Sequence, residues 1–168
     1  MDSVAVSISK MSRKLCVLAA STLALSMILL ESALMPIVLP TLQDHMGLSV
    51  FQVQWLINAY FLTSAAMVLI GGKLADIIGY RKAFVIGAAG FAISNVIVGI
   101  SHQYWMMLMG RIAQGASAAL VGPTGFALIF HAFPPKERGR AIGISAGFSS
   151  LFLTIGPVLS AIFIEFSQ

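Results

Sequence analysis

Five stretches of the chain are almost purely apolar, and short polar segments separate them. They cover residues 15–39, 53–72, 83–100, 104–130 and 141–164. A helix needs roughly 20 apolar residues to cross about 30 Å of hydrocarbon, so each stretch can span a bilayer. Hydrocarbon offers no water to backbone N–H and C=O groups, which makes each stretch helical. Of the charged side chains, only Glu31 and Arg111 fall inside the stretches. Soluble buried helices are the alternative, but five in succession with such short gaps do not fit a water-soluble globule.

The polar segments carry a sign. Lys10, Arg13 and Lys14 precede the first span, Lys73, Arg81 and Lys82 separate the second from the third, and Lys136, Arg138 and Arg140 precede the fifth. The alternate segments, residues 40–52, 101–103 and 165–168, hold no Lys or Arg. This bias predicts a cytoplasmic N-terminus and an outer C-terminus, with Trp55, Tyr104 and Trp105 at the outer interface. The first stretch is too long for a signal-peptide core and shows no cleavage site before Glu31.

Composition agrees: hydrophobic residues make up 58% and charged residues 10%, where soluble domains carry about 25% charged. The net charge of +4 would suggest nucleic acid in a soluble chain; here the basic residues read as topology determinants, and no nucleic-acid partner is expected. A lone Cys16 excludes an internal disulfide and an all-cysteine metal site, and reads as a small packing residue. His45, His102 and His131 read as solvated loop residues, and Met106, Met107 and Met109 as lipid-facing or packing. No nucleophile triad, metal-ligand cluster or phosphate-binding glycine loop stands out. The chain is therefore not expected to be an enzyme or to carry a metal or cofactor.

Two junctions carry more specific signals. Between the second and third spans, Gly71 and Gly72 permit close helix approach. Asp76 can pair with a cation or face a helix N-terminus. Gly79 permits a tight turn, and Arg81 with Lys82 hold it cytoplasmic. An ordinary basic loop is the plainer reading. Gly139, just before the fifth span, shares one helix face with Gly143 and Gly147, a close-packing surface. Gly156 and Pro157 then interrupt the run and should bend it.

Glu31 and Arg111 are the most informative residues, because an ionisable group in a span costs several kcal/mol unless it faces protein or water. Glu31 lies eight residues before Leu39, about 12 Å in, and Arg111 seven residues past Tyr104, about 10 Å in. Equal depth lets them meet. They are either functional or a structural pair that locks two helices.

With Leu74 and Ala75, the residues Gly72, Asp76, Gly79, Arg81 and Lys82 resemble the major facilitator superfamily signature between its second and third helices. Ile77 and Tyr80 stand where that family has Arg. The segment around Glu31, Pro36 and Pro40 resembles the first-helix motif of the fourteen-helix drug:proton antiporter branch, with Glu31 in place of Asp. Gln54 to Tyr60 resembles the start of that branch's second helix, and Gly110, Arg111, Gln114 and Gly115 the Arg-x-x-Gln-Gly motif of the fourth. Residues 133–141 resemble the loop before the fifth helix. Gly156 and Pro157, with Gly143 and Gly147 before them, resemble the antiporter motif of exporters, although its paired glycines are replaced by Ser160 and Ala161.

The resemblance implies an all-α membrane protein: five transmembrane helices of a major-facilitator N-terminal bundle, truncated before the sixth. Residues 1–14 would be a cytoplasmic tail and residues 15–168 the partial bundle. It implies proton-coupled export of drugs or other small molecules from a bacterial cell membrane. Glu31, Arg111 and Gln114 would couple proton and substrate. Gly72, Asp76, Gly79, Arg81 and Lys82 would form a conformational-switch loop, and Gly143, Gly147, Gly156 and Pro157 a packing motif. The implied partners are lipid, protons, a small-molecule substrate and a C-terminal half. The alternative is a residual membrane fragment that only packs with other membrane proteins.

Overall fold

A computed structural model describes residues 2–166 as five helices, with no strand among the described residues. They are α1 (Asp2–Met46), α2 (Val50–Ile78), α3 (Tyr80–Gly99), α4 (Tyr104–Ala132) and α5 (Pro135–Phe166). Each contains a membrane-length apolar stretch: Met11–Val38, Val50–Ile78, Tyr80–Gly99, Tyr104–Ala132 and Pro135–Ile162. At 1.5 Å per residue α3 matches the hydrocarbon thickness, whereas α2 and α4 are long enough to tilt or to reach into the headgroups.

The outer surface is apolar, as lipid solvent demands, and the interior mixes apolar clusters with most of the polar side chains of the spans. Leu69 is 83% exposed, and Ile77, Trp105 and Phe51 also face outward. The interior holds Ser21, Ser26, Ser94, Thr124, Ser145, Ser149 and Ser160 together with Glu31, Arg111 and Gln114. Burying apolar surface drives no association in lipid, so small residues and interhelical hydrogen bonds carry the packing. Ser26 and Ser149, for example, share a 3.0 Å hydrogen bond between α1 and α5.

The helices alternate in direction. Lys14 of α1 meets Glu137 of α5 at 3.2 Å, and the ring of Tyr80, opening α3, lies 5.3 Å from that of His131, closing α4. The starts of α1, α3 and α5 therefore share one end of the bundle with the close of α4. In the interior α4 packs along α2 and α3, α1 packs along α5, and α1 also meets α4. Glycine sets the crossings: a Cβ on Gly115 would lie 2.5 Å from the Tyr60 carbonyl oxygen, one on Gly71 2.7 Å from that of Ala119, and one on Gly156 2.9 Å from Ala33 Cβ.

Short connections explain the helix ends. Ser49 caps α2 through a reciprocal pair: the Gln52 N–H donates to Ser49 Oγ at 3.3 Å and the Ser49 N–H to Gln52 Oε1 at 2.9 Å. Gly79 alone joins α2 to α3, at φ +91°, a conformation that L side chains resist.

Several expectations are corrected. Pro157 does not interrupt α5, which is helical throughout its range, and Pro36, Pro40 and Pro123 likewise sit inside helices. In lipid, neighbouring helices and hydroxyl side chains offset the backbone bond a proline removes. The face of Gly139, Gly143 and Gly147 is open, with nothing within 4 Å of a Cβ at any of them. Gly72 is open too; Gly71 makes the close approach. Cys16 is exposed, not packed. The methionines fit the expected packing and outward-facing places, Met107 being buried and Met106 and Met109 exposed. His131 lies in the last turn of α4, not in a loop. His45 lies within α1, and its side chain is outside the described residues. Leu39, one of the depth markers used above, also has its side chain outside them.

Candidate functional site: a buried ion pair among four helices

Glu31 of α1 and Arg111 of α4 meet in the interior, with Arg111 Nη1 donating to Glu31 Oε1. Glu31 is 8% exposed, Arg111 2% and Gln114 fully buried. The approach at equal depth, expected from span lengths, is what the helices deliver. Arg111 Nη1 also donates to Gln114 Oε1 at 2.8 Å, one turn along α4. Its Nε donates to the Leu56 carbonyl of α2 at 3.0 Å; that oxygen has a second lone pair beyond its helical bond. The guanidinium lies 4.6 Å from the centroid of the Tyr60 ring, within cation–π range.

Gln114 extends the network to α3. Its Nε2 donates to Asn95 Oδ1 of α3 at 3.1 Å, and Asn95 Nδ2 donates to the Phe91 carbonyl at 2.8 Å. Three helices thus contact the cation directly, and α3 joins through Gln114. The network is nearly closed, and its open point is Glu31 Oε2, which is buried and has no hydrogen-bond partner among the described residues. A carboxylate with one oxygen paired and the other free can hold its charge against Arg111 or accept a proton at the free atom.

Sequence reasoning found Glu31, Arg111 and Gln114 and missed Asn95 and Tyr60 as members. Asn95 carries no charge, so a search for ionisable groups passes over it. A lone carboxamide within an apolar span was the available signal, since such a group needs a partner there. Tyr60 also faces a cavity of about 410 Å³ among α1, α2, α4 and α5, lined by Ile28, Ser64, Phe126 and Ser145. Tyr60 is the residue that this wall shares with the ion-pair network.

The other singled-out residues lie apart from this network, at the α2–α3 junction and along α5. Asp76 accepts a hydrogen bond from the Tyr80 hydroxyl and forms no ion pair among the described residues. The phenol stands where the superfamily has Arg, so a neutral donor replaces the expected cation. Arg81 and Lys82 are exposed.

Membrane-length helices closed around a buried ion pair define a polytopic α-helical membrane protein. The chain belongs to the Major Facilitator Superfamily, whose family model matches residues 20–168. It is 32% identical over 148 residues to the "Tetracenomycin C resistance and export protein" of Streptomyces glaucescens, covering 88% of this chain and 28% of that protein. It is 33% identical over 153 residues to the "Multidrug resistance protein Stp" of Mycobacterium tuberculosis, covering 90% and 28%. With the "Riboflavin transporter RibZ" of Clostridioides difficile it shares 30% over 155 residues, covering 92% and 34%. The chain thus spans about a third or less of the curated relatives it matches.

Proposed function

We propose that this chain supplies the proton-coupling half-site of an exporter of drugs or other small molecules in a bacterial cell membrane. Residues 1–14 are its cytoplasmic tail, residues 15–168 its bundle, and a further set of helices closes the cavity from the other side. The supporting observation is the buried Glu31–Arg111 pair with Glu31 Oε2 left free. While Arg111 faces it, the carboxylate keeps its charge. When substrate or helix movement draws Arg111 away, an unpaired charge is left among apolar groups, and proton uptake is the less costly outcome. Gln114 and Asn95 hold the guanidinium in place, and Tyr60 links it to the neighbouring cavity. The printed name of the Streptomyces glaucescens relative supports export as the direction. Binding and exchange are the whole of the chemistry; no bond in the substrate is made or broken, so the protein is not an enzyme.

The test is infrared titration of the purified chain in membranes. A carboxyl band absent from Glu31→Gln should grow on acidification, and it should appear at higher pH in Arg111→Gln. No such band in either protein before helicity is lost would remove Glu31 as the proton carrier. The open face of Gly139, Gly143 and Gly147 favours a second reading, a helix bundle that docks on another membrane protein. In that case the ion pair is a lock, and the band appears only when Arg111 is replaced.

A further inference from the structure

At the end of the bundle where α1 and α3 begin and α4 closes, a second cavity of about 700 Å³ lies among these three helices, and it is not part of the ion-pair network. Its rim is basic: Arg13 and Lys14 from α1, Arg81 opening α3, and His131 from the last turn of α4. Lys14 is bonded to Glu137; among the described residues Arg13 and Arg81 have no acidic partner, and no carboxylate lines the cavity. Below the rim the wall is apolar, with Phe84 and Val85. Val85 and Cys16 both line it and are both exposed, so the cavity opens on the outer surface of the bundle. Ser21 lines its depth, fully buried, with an Oγ that has no hydrogen-bond partner among the described residues.

We propose that this cavity binds the headgroup phosphate of an anionic phospholipid, with its acyl chain along Phe84 and Val85. The rim sits where apolar spans end, at the depth of lipid phosphates, and basic pockets between spanning helices on such a face suit anionic headgroups. An ester oxygen seated below the rim can accept a hydrogen bond from the Ser21 hydroxyl, which has no partner among the described residues. A free phosphate would satisfy the rim and leave the apolar wall uncovered. An apolar helix would cover the wall and offer no counter-charge to Arg13 and Arg81. A lipid with a negative head and an apolar tail satisfies both parts. The site does not depend on the proton-coupling reading.

The 168-residue chain in non-ionic detergent is offered equal amounts of phosphatidylglycerol and phosphatidylcholine with the same acyl chains, and bound lipid is counted by native mass spectrometry. Phosphatidylglycerol should be retained at least about fivefold over phosphatidylcholine. Arg13→Gln with Arg81→Gln should bring the ratio close to one. Lys73→Gln with Lys136→Gln removes equal charge outside the cavity and should leave the preference intact. Val85→Trp, which narrows the apolar wall and alters no charge, should lower phosphatidylglycerol retention, with circular dichroism confirming helicity in every variant. Equal retention of the two lipids overturns the proposal, as does equal loss in the two double variants. Displacement of the lipid by inorganic phosphate alone overturns the lipid as the ligand.

Discussion

At the residue scale, the ion pair sets a thermodynamic condition that its neighbours share. Removing one partner of a buried pair leaves an uncompensated charge and costs about 3–5 kcal/mol, whereas replacing both by apolar groups is often neutral or stabilising. Arg111→Met should therefore lower unfolding stability by about 3–5 kcal/mol, and Glu31→Leu with Arg111→Met should recover most of it. Denaturant titration in mixed micelles gives both values. A double variant as unstable as the single one would mean that Arg111 acts through Leu56 and Tyr60 more than through Glu31. Asn95→Leu should cost about 1–3 kcal/mol, because the buried Gln114 amide then loses its acceptor.

The five helices were legible because apolar length is a strong signal in lipid, yet their ends were not. The first span reads as residues 15–39, whereas α1 continues from Asp2 to Met46. Apolarity marks where a helix enters hydrocarbon; caps and turns mark where it stops. Gly47, at φ +63°, and the Ser49–Gln52 capping box end one helix and start the next. Glycine roles were only half legible for a similar reason: spacing shows which glycines share a face but not whether a neighbour covers it. The two cases should part in opposite directions. Gly115→Ala pushes a methyl onto the Tyr60 carbonyl and should cost about 1–3 kcal/mol. Gly143→Ala meets open space and should stabilise by about 0.5–1 kcal/mol through helix propensity alone. Thermal unfolding of the two variants side by side reads the difference, and equal destabilisation would mean that a partner covers the α5 face in the membrane.

For the whole molecule, the arrangement of basic residues and the order of the helices make one joint statement. The starts of α1, α3 and α5 share one end of the bundle, and each carries or follows basic residues. Reporter fusions at Lys82, His102 and Lys136 should read inside, outside and inside in turn. A fusion at Gln168, outside the described residues, should read outside. An inner reading at Gln168 would remove α5 as a spanning helix. What sequence could not convey at this scale is the sharing of α4, which touches every other helix. That position follows from three-dimensional packing of Gly71, Gly110 and Gly115 contacts, which no one-dimensional pattern encodes.

The single-residue joint at Gly79 has a mechanical consequence. One residue contributes two soft torsions, so α2 and α3 are articulated with almost no slack. A tilt of α2 is delivered as torque to the root of α3, where Tyr80 leans on His131 and so on the base of α4. Arg111 rides on that same helix, some five turns away along its length. The junction and the ion pair are thus joined through α4, and inserting residues at the joint tests whether a tilt of α2 is felt at Arg111.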